Sequence, residues 1–143
     1  MNDYVSKLMV PVLEVNKTNK NRRYYPKEII LKELKEWEGK EFPVLTQMPT
    51  MEELKAWNFK VPVEITAGSC VFDPEMPGNF LYAEIKIYKT PKGLLLEKMI
   101  FNEGVDFRTC GIVNISLRNP DNTILVMNLD MLAVAALPKG QGA

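Results

Sequence analysis

Apolar and polar residues alternate along two long stretches of the chain, and this pattern predicts β-strands. Between Phe80 and Tyr88 every second residue is apolar, which is typical of a strand with one buried face. A similar alternation runs from Phe59 to Phe72, where Pro62 indicates an edge or a break in the ladder because proline lacks an N–H. The proline- and glycine-containing segment 73–79 predicts a turn that joins the two strands as a hairpin.

Two further stretches have apolar residues at helical spacing. One helix is predicted to start at Pro26 and to end before Gly39, with an apolar stripe made of Ile30, Leu34 and Trp37. Thr50 and Glu53 have the spacing of a capping box, which predicts a second, short helix behind them.

A third helix is predicted between the strand 80–88 and a strand that begins at Val105. Thr90 can cap it, Pro91 suits its first position, and Gly104 suits its end. Its residues Leu96, Met99 and Ile100 share one face, which we expect to pack on the strand 80–88. The unit from Phe80 to Ile115 therefore reads strand, helix, strand, and a catalytic centre, if present, is expected at the start of the second strand.

The remaining apolar segments predict further strands. They are Tyr4–Val15 (at an edge or bulge, given Pro11), Phe42–Leu45 and a last strand from Ile124 to about Leu132. Residues 138–143 are expected to form a flexible tail. The prediction is one α+β domain spanning residues 1–143, a mainly antiparallel β-barrel or curled sheet with two or three peripheral helices.

Composition excludes several classes of function. The 143 residues include 18 basic and 18 acidic side chains, so the net charge is zero and binding to nucleic acid through bulk charge is not expected. We predict no membrane span, no metal site and no cofactor, since long apolar runs, ligand spacings and phosphate-binding loops are missing. Cys70 and Cys110 are expected to be a reduced pair. The chain has no histidine, the commonest general base.

Three stretches together resemble the tailed-phage prohead proteases. They are Asn19-Lys20-Asn21-Arg22-Arg23-Tyr24-Tyr25-Pro26, with Arg22 where the family has glycine, then Thr90-Pro91-Lys92-Gly93 with its helix, and finally Leu129-Asp130-Met131-Leu132. Their order and spacing fit across nearly the whole chain. The resemblance implies a fold like that of the herpesvirus assemblins, a β-barrel ringed by helices.

The catalytic positions of that family are changed in this chain. Met48, before Pro49, stands where the family has its histidine, and counting from Gly104 places Cys110 on the serine and Ile112 on the arginine. A thiol nucleophile needs a base or a lowered pKa, and methionine accepts no proton. Apolar neighbours are expected to raise the pKa of Cys110, and Arg108 is expected to face away from it.

The resemblance therefore implies a catalytically degenerate relative. The expected role is a non-catalytic phage structural or assembly protein (an auxiliary or decoration capsid protein, or a minor virion component), present in the virion and in the host cytoplasm during assembly. One alternative is an active prohead peptidase with a Cys110 or Ser116 nucleophile and a lysine or acidic base, with Lys92 and Lys98 as candidates. The other alternative is a host-directed adaptor or inhibitor.

Partners are expected to be phage capsid or other virion proteins, with a homo-oligomer possible and sequence-specific nucleic-acid binding not expected. Either Tyr4–Val15 or Leu125–Leu137 is expected to be covered by another subunit or a capsid protein, because free apolar edges invite uncontrolled pairing. A basic, aromatic loop would supply further contacts, and its candidate residues are Lys17, Lys20, Arg22, Arg23, Tyr24 and Tyr25.

Overall fold

The computed structural model describes residues 3–140, which form three α-helices, nine β-strands and one short 3-10 helix. The helices are α1 (Lys27–Trp37), α2 (Met51–Ala56) and α3 (Pro91–Asn102), and the 3-10 helix is Val63–Ile65. The strands are β1 (Tyr4–Glu14), β2 (Arg23–Tyr24), β3 (Phe42–Leu45), β4 (Gly68–Phe72), β5 (Phe80–Tyr88), β6 (Val105–Ile112), β7 (Ser116–Arg118), β8 (Ile124–Val126) and β9 (Asp130–Pro138).

Six strands form one curled sheet, in the order β1-β5-β4-β3-β9-β6. Neighbouring strands are antiparallel except β3 and β9, which run parallel. The sheet is curled into a half-barrel, and its two outer strands, β1 and β6, approach each other. This confirms the predicted α+β class, with a curled sheet and peripheral helices.

The strand β1 lies at one edge of this sheet, as Pro11 predicts. The register against β5 shifts between Pro11 and Leu13, so a bulge sits where proline cannot donate a ladder hydrogen bond. Val12, the unpaired residue at the shift, and Leu13, which follows it, are both buried in the main core. The bulge therefore lets an interrupted strand still contribute to the apolar interior.

Helix α3 packs closely against the end of β5. The Thr90 hydroxyl accepts a hydrogen bond from the N–H of Gly93 at 3.2 Å, as expected of an N-cap. A Cβ atom at Gly93 would overlap the carbonyl oxygen of Tyr88, so only glycine allows this approach. Leu96 is fully buried in the same apolar core as the inward residues of β5, and Ile100 packs against that core. The predicted packing on this strand is confirmed for Leu96 and Ile100, whereas Met99, the third residue of the predicted face, is only half-buried.

The prediction of a strand from Phe59 to Phe72 is wrong for its first half. Asn58 and Phe59 both have positive φ angles, 54° and 59°, and they turn the chain sharply after α2. The 3-10 helix then follows Pro62, and its Val63 is 73% exposed. The ladder begins only at Gly68, so the apparent alternation before it belongs to a loop and a helical turn.

The last predicted strand, Ile124 to about Leu132, is in fact two strands in two sheets. β8 pairs with β7 and β2 in a small three-stranded sheet, and β9 lies inside the large sheet between β3 and β6. Both faces of β9 are covered, so residues 133–137 are all buried. The alternation that is typical of a surface strand is therefore lost in this segment.

The predicted tail at 138–143 divides between described and undescribed residues. Pro138 is the last residue of β9, and Gly140 donates its N–H to the Asp106 carboxylate at 2.7 Å. Lys20 donates to the Gly140 carbonyl. Residues 138–140 are therefore held by the sheet and a loop, and residues 141–143 of the prediction lie outside the described range. Each helix found in residues 3–140 is too short or too polar to span a lipid bilayer.

Candidate functional site

A pocket of about 150 Å³ lies beside the second half of β6, between the loop before β2 and the start of α2. The residues 108–112 of β6 form one wall. This position differs from the expected one, because a centre at the start of the strand would lie near Val105. Other lining residues are Leu13, Asn19, Arg23, Tyr25, Met48, Pro49, Met51, Leu54 and Leu129.

The three residues that the resemblance places at the family's catalytic positions all line this pocket. Met48 comes from the loop between β3 and α2, whereas Cys110 and Ile112 come from β6. Met48 and Ile112 also pack against a small apolar cluster on the outer side of the sheet, which includes Cys110 and Leu54. The structure therefore brings together residues that are far apart in the sequence, and it places Met48 and Cys110 around the same pocket.

The capping box at the start of α2 positions the side of the pocket that carries Met48. The Thr50 hydroxyl accepts from the Glu53 N–H at 3.1 Å, and the Glu53 carboxylate accepts from the Thr50 N–H at 3.0 Å. These two bonds fix the start of α2 immediately after Pro49. Leu54, one turn into the helix, is buried as part of the small apolar cluster on the outer side of the sheet. The loop that carries Met48 is thus held at both ends, by β3 and by a capped helix.

Burial decides the state of the Cys110 thiol. Loss of solvent around the sulfur raises the pKa of Cys110, and the positive charge of Arg108 lowers it by a smaller amount. The expectation that Arg108 faces away is wrong, because residues two apart on a strand point to the same side. The pKa of Cys110 nevertheless stays raised, so the thiol is protonated near neutral pH and is a poor nucleophile.

The pocket has a positive charge and lacks a proton acceptor suited to neutral pH. Arg23 and Arg108 both line it, and none of its lining residues within 3–140 is acidic, lysine or histidine. Arginine keeps its proton throughout the physiological range, so neither guanidinium can act as a general base. The arrangement can attract and hold an anionic or polar group, but it offers no group to activate Cys110.

The residues proposed for the alternative peptidase are not assembled around Cys110. Ser116 lies on the exposed strand β7 of the small sheet, and Lys98 lies on the exposed side of α3. Lys92 lines a separate pocket of about 120 Å³ together with Gln47 and Trp57. None of the three is among the described residues that line the Cys110 pocket.

The basic, aromatic loop is mostly tied into the protein. Lys17 pairs with Glu14 at 3.7 Å, Lys20 bonds to Gly140, and Arg22 donates to the carbonyl of Asp121. Tyr24 is half-buried in β2. Tyr25 is buried in the main core, so it offers almost no surface to a partner.

Arg23 and Tyr25 have a place that sequence reasoning missed. Both were expected to contact a partner on the surface, whereas both line the Cys110 pocket. Arg108, predicted to point away, completes the basic side of the same wall. Nothing in the local sequence around Arg23 and Tyr25 links them to Cys110, which lies far along the chain. In the part of the chain that the structure describes, no group of acidic, cysteine or histidine residues is arranged to hold a metal ion.

A scan against protein-family models finds no match, and a comparison with curated protein sequences finds none either. Among solved structures, the chain is similar to the bacteriophage T4 capsid assembly protease, gp21, with a TM-score of 0.74. The sequences are 15% identical, and the match covers 92% of this chain and 80% of the T4 chain. At this identity the likeness establishes the fold, and the architecture described above is the prohead-protease-like fold that the three sequence stretches predicted.

Proposed function

We propose that this protein acts in bacteriophage capsid assembly without cleaving proteins, as an auxiliary or decoration capsid protein or a minor virion component. Its partners would be capsid or other virion proteins, and it would be found in the virion and in the host cytoplasm during assembly. The similarity of its fold to a phage capsid assembly protease supports the setting. The pocket chemistry supports the loss of catalysis.

The observation that carries the proposal is the pairing of Met48 with Cys110 in one pocket. Nucleophilic catalysis needs a group that removes the proton of the nucleophile, or surroundings that lower its pKa. Met48 cannot take a proton, and burial moves the pKa of Cys110 in the unfavourable direction. A pocket with two arginines and apolar walls is suited to holding a segment of another protein, and it lacks the groups to cut it.

The test combines binding with cleavage. The purified protein is incubated with the proheads, scaffold and capsid proteins of its phage, and the mixtures are analysed by co-sedimentation and intact-mass spectrometry. We expect the protein to sediment with the particles and every partner to keep its full mass. Cys110→Ala serves as the matched variant, and it should bind as the parent does.

Two results would overturn the proposal. Cleavage that is present in the parent and disappears in Cys110→Ala would make the protein a peptidase with an unusual activation. A protein that ignores proheads and is missing from purified virions would favour a host-directed adaptor instead.

A further inference from the structure

A cleft of about 520 Å³ lies on the outer side of the large sheet, beside β1, β5 and β4. Ser69 and Lys86 are paired across β4 and β5, and both line this cleft. The next pair along the same strands, Cys70 with Ile85, is buried in the main core, and successive residues of a strand point to opposite faces. Ser69 and Lys86 therefore lie side by side on the face that is turned away from the core.

Ser69 supplies a hydroxyl that the protein itself does not use. It is 8% exposed, and no other serine, threonine, amide or charged side chain of residues 3–140 is buried. Every side-chain oxygen in this range that is sealed from solvent has a hydrogen-bond partner, whereas the Ser69 hydroxyl makes no such bond there, so it must reach the cleft. A nearly buried polar group without a partner is unfavourable, and a bound ligand that accepts its hydrogen bond removes that cost.

Lys86 supplies a positive charge that has no acidic partner in the described chain. It takes part in none of the ion pairs formed within residues 3–140, and its ammonium lies 5.4 Å from the centre of the Tyr4 ring. Lys7, which is opposite Lys86 on β1, pairs instead with Glu84 at 3.4 Å. The ammonium of Lys86 and the neighbouring hydroxyl can both donate to one acid group, and Lys89 lines the same cleft.

The remaining walls of the cleft suit a ring that carries hydroxyl groups. Tyr4 and Tyr88 are paired on neighbouring strands and line the cleft, so they offer aromatic surface to an apolar ring face. Asp3 and Glu41 line it as well and are exposed, and ionised carboxylates can only accept hydrogen bonds. These two carboxylates balance the two lysines of the cleft, which disfavours a polyanion such as a nucleic-acid strand.

We propose that this cleft binds a saccharide of the uronic-acid type, that is, a sugar ring that carries one carboxylate. Ser69 and Lys86 donate to the carboxylate, a tyrosine ring packs on the apolar face of the sugar, and Asp3 and Glu41 accept from its hydroxyl groups. A phosphate fits less well, because about 1.5 to 2 negative charges would then lie near these two carboxylates. The volume of the cleft is within the roughly 300–1,000 Å³ of small-molecule sites, and the inference does not depend on the proposed function.

The experiment titrates the full chain with small saccharides and follows its backbone amide signals by NMR. The probes are methyl glucuronide and methyl galacturonide, and their controls are methyl glucoside and methyl galactoside, which have a hydroxymethyl group in place of the carboxylate. Acetate supplies the carboxylate without the ring. We expect a uronide to bind with a dissociation constant of about 0.1–10 mM and to shift the signals of Ser69 and Lys86. The neutral sugars and acetate should bind at least about tenfold more weakly.

Two substitutions test the groups that receive the carboxylate. Ser69→Ala removes only the hydroxyl and should weaken uronide binding by about 3- to 10-fold, while the urea midpoint of unfolding stays at the parent value because no internal bond is lost. Lys86→Met keeps an unbranched apolar side chain, removes the charge and should weaken binding by at least about tenfold. Lys98→Met is the matched control, since Lys98 is exposed on α3 and does not line the cleft, and it should bind as the parent does.

Three results would overturn the proposal. Failure of both uronides to bind at about 50 mM, well above the expected range, would exclude this class of ligand. Acetate that binds as tightly as the uronides would show a site for a carboxylate alone. Equal affinity of the parent, Ser69→Ala and Lys86→Met would place the binding of the uronide outside this cleft.

Discussion

The guanidinium of Arg22 donates a hydrogen bond to the main-chain carbonyl of Asp121, and so ties the loop before β2 to the turn between β7 and β8. The same loop is braced by Asn19, whose side-chain oxygen accepts from the N–H groups of Asn21 and Arg23 at 2.9 and 3.0 Å. Arg22 has a φ of 63°, in the left-handed region. Arg22 therefore has a backbone conformation that suits glycine, the residue that the prohead proteases have at this position.

Arg22 makes it possible to separate backbone strain from a side-chain bond. Arg22→Ala removes the bond to Asp121 and keeps a Cβ atom at positive φ, whereas Arg22→Gly removes both. We expect Arg22→Gly to be the more stable of the two by about 1 kcal/mol, because the left-handed region penalises a Cβ atom. Urea unfolding of both variants gives the comparison, and equal midpoints would contradict it.

Adjacent leucines on α3 provide a matched test of its packing. Leu96 is fully buried, whereas Leu95 is 45% exposed. Leu96→Ala should lower the free energy of unfolding by about 2–5 kcal/mol. Leu95→Ala should change it by less than about 0.5 kcal/mol, measured at low protein concentration. A similar loss for both would mean that the helix is rotated about its axis.

The buried thiol of Cys70 predicts a loss of stability in alkaline solution. Burial raises its pKa from 9.0 to about 12, so the folded protein keeps this proton over a range where the unfolded chain has lost it. The unfolded state then binds fewer protons, and stability falls as pH rises from about 9 to about 12, by up to about 1.4 kcal/mol per pH unit.

Cys70→Ala isolates this contribution. Tyrosine and lysine groups also titrate in the same range, but they cancel in the difference between parent and variant. We expect the difference in unfolding free energy to shrink steadily above pH 9, as measured by urea unfolding in matched buffers. A constant difference would show that Cys70 ionises as easily in the folded protein as in the unfolded chain.

Restoring the histidine alone should not restore cleavage. Met48→His places an imidazole in the Cys110 pocket, but Ile112 still occupies the position of the family's arginine and the thiol stays buried. We expect intact partners by mass spectrometry at every pH from 6 to 9, a range chosen to span about the usual pKa of histidine. Cleavage that rises with histidine deprotonation would contradict this, provided that Met48→Ala gives none.

Most helices and strands could be predicted because their sequence signals act between residues that are close together in the chain. The capping box at Thr50, the cap at Thr90 and the glycine after α3 each act within one turn, and each lies where the sequence placed it. The predicted strand at residues 59–67 is wrong because alternation of apolar and polar residues does not reveal backbone angles. Nothing in the residue types announces that Phe59 adopts a positive φ, since bulky residues rarely do.

The candidate site was only partly predictable. Resemblance placed Met48, Cys110 and Ile112 at related positions, and the structure places them around one pocket. The basic side of that pocket, Arg23 and Arg108, depends on how β2 and β6 approach each other in three dimensions. These two strands belong to different sheets, and no short stretch of sequence encodes how the sheets are placed.

The position of β9 in the large sheet has a consequence for synthesis. Residues 130–138 lie between β3 and β6, which both precede them in the chain, and the pairs they form are long-range. Until this segment leaves the ribosome, both neighbours have an open edge and the nascent chain cannot close its core. Ribosome-bound chains that stop before Asp130 should therefore need chaperone protection, whereas chains that carry the segment beyond the exit tunnel should resist protease.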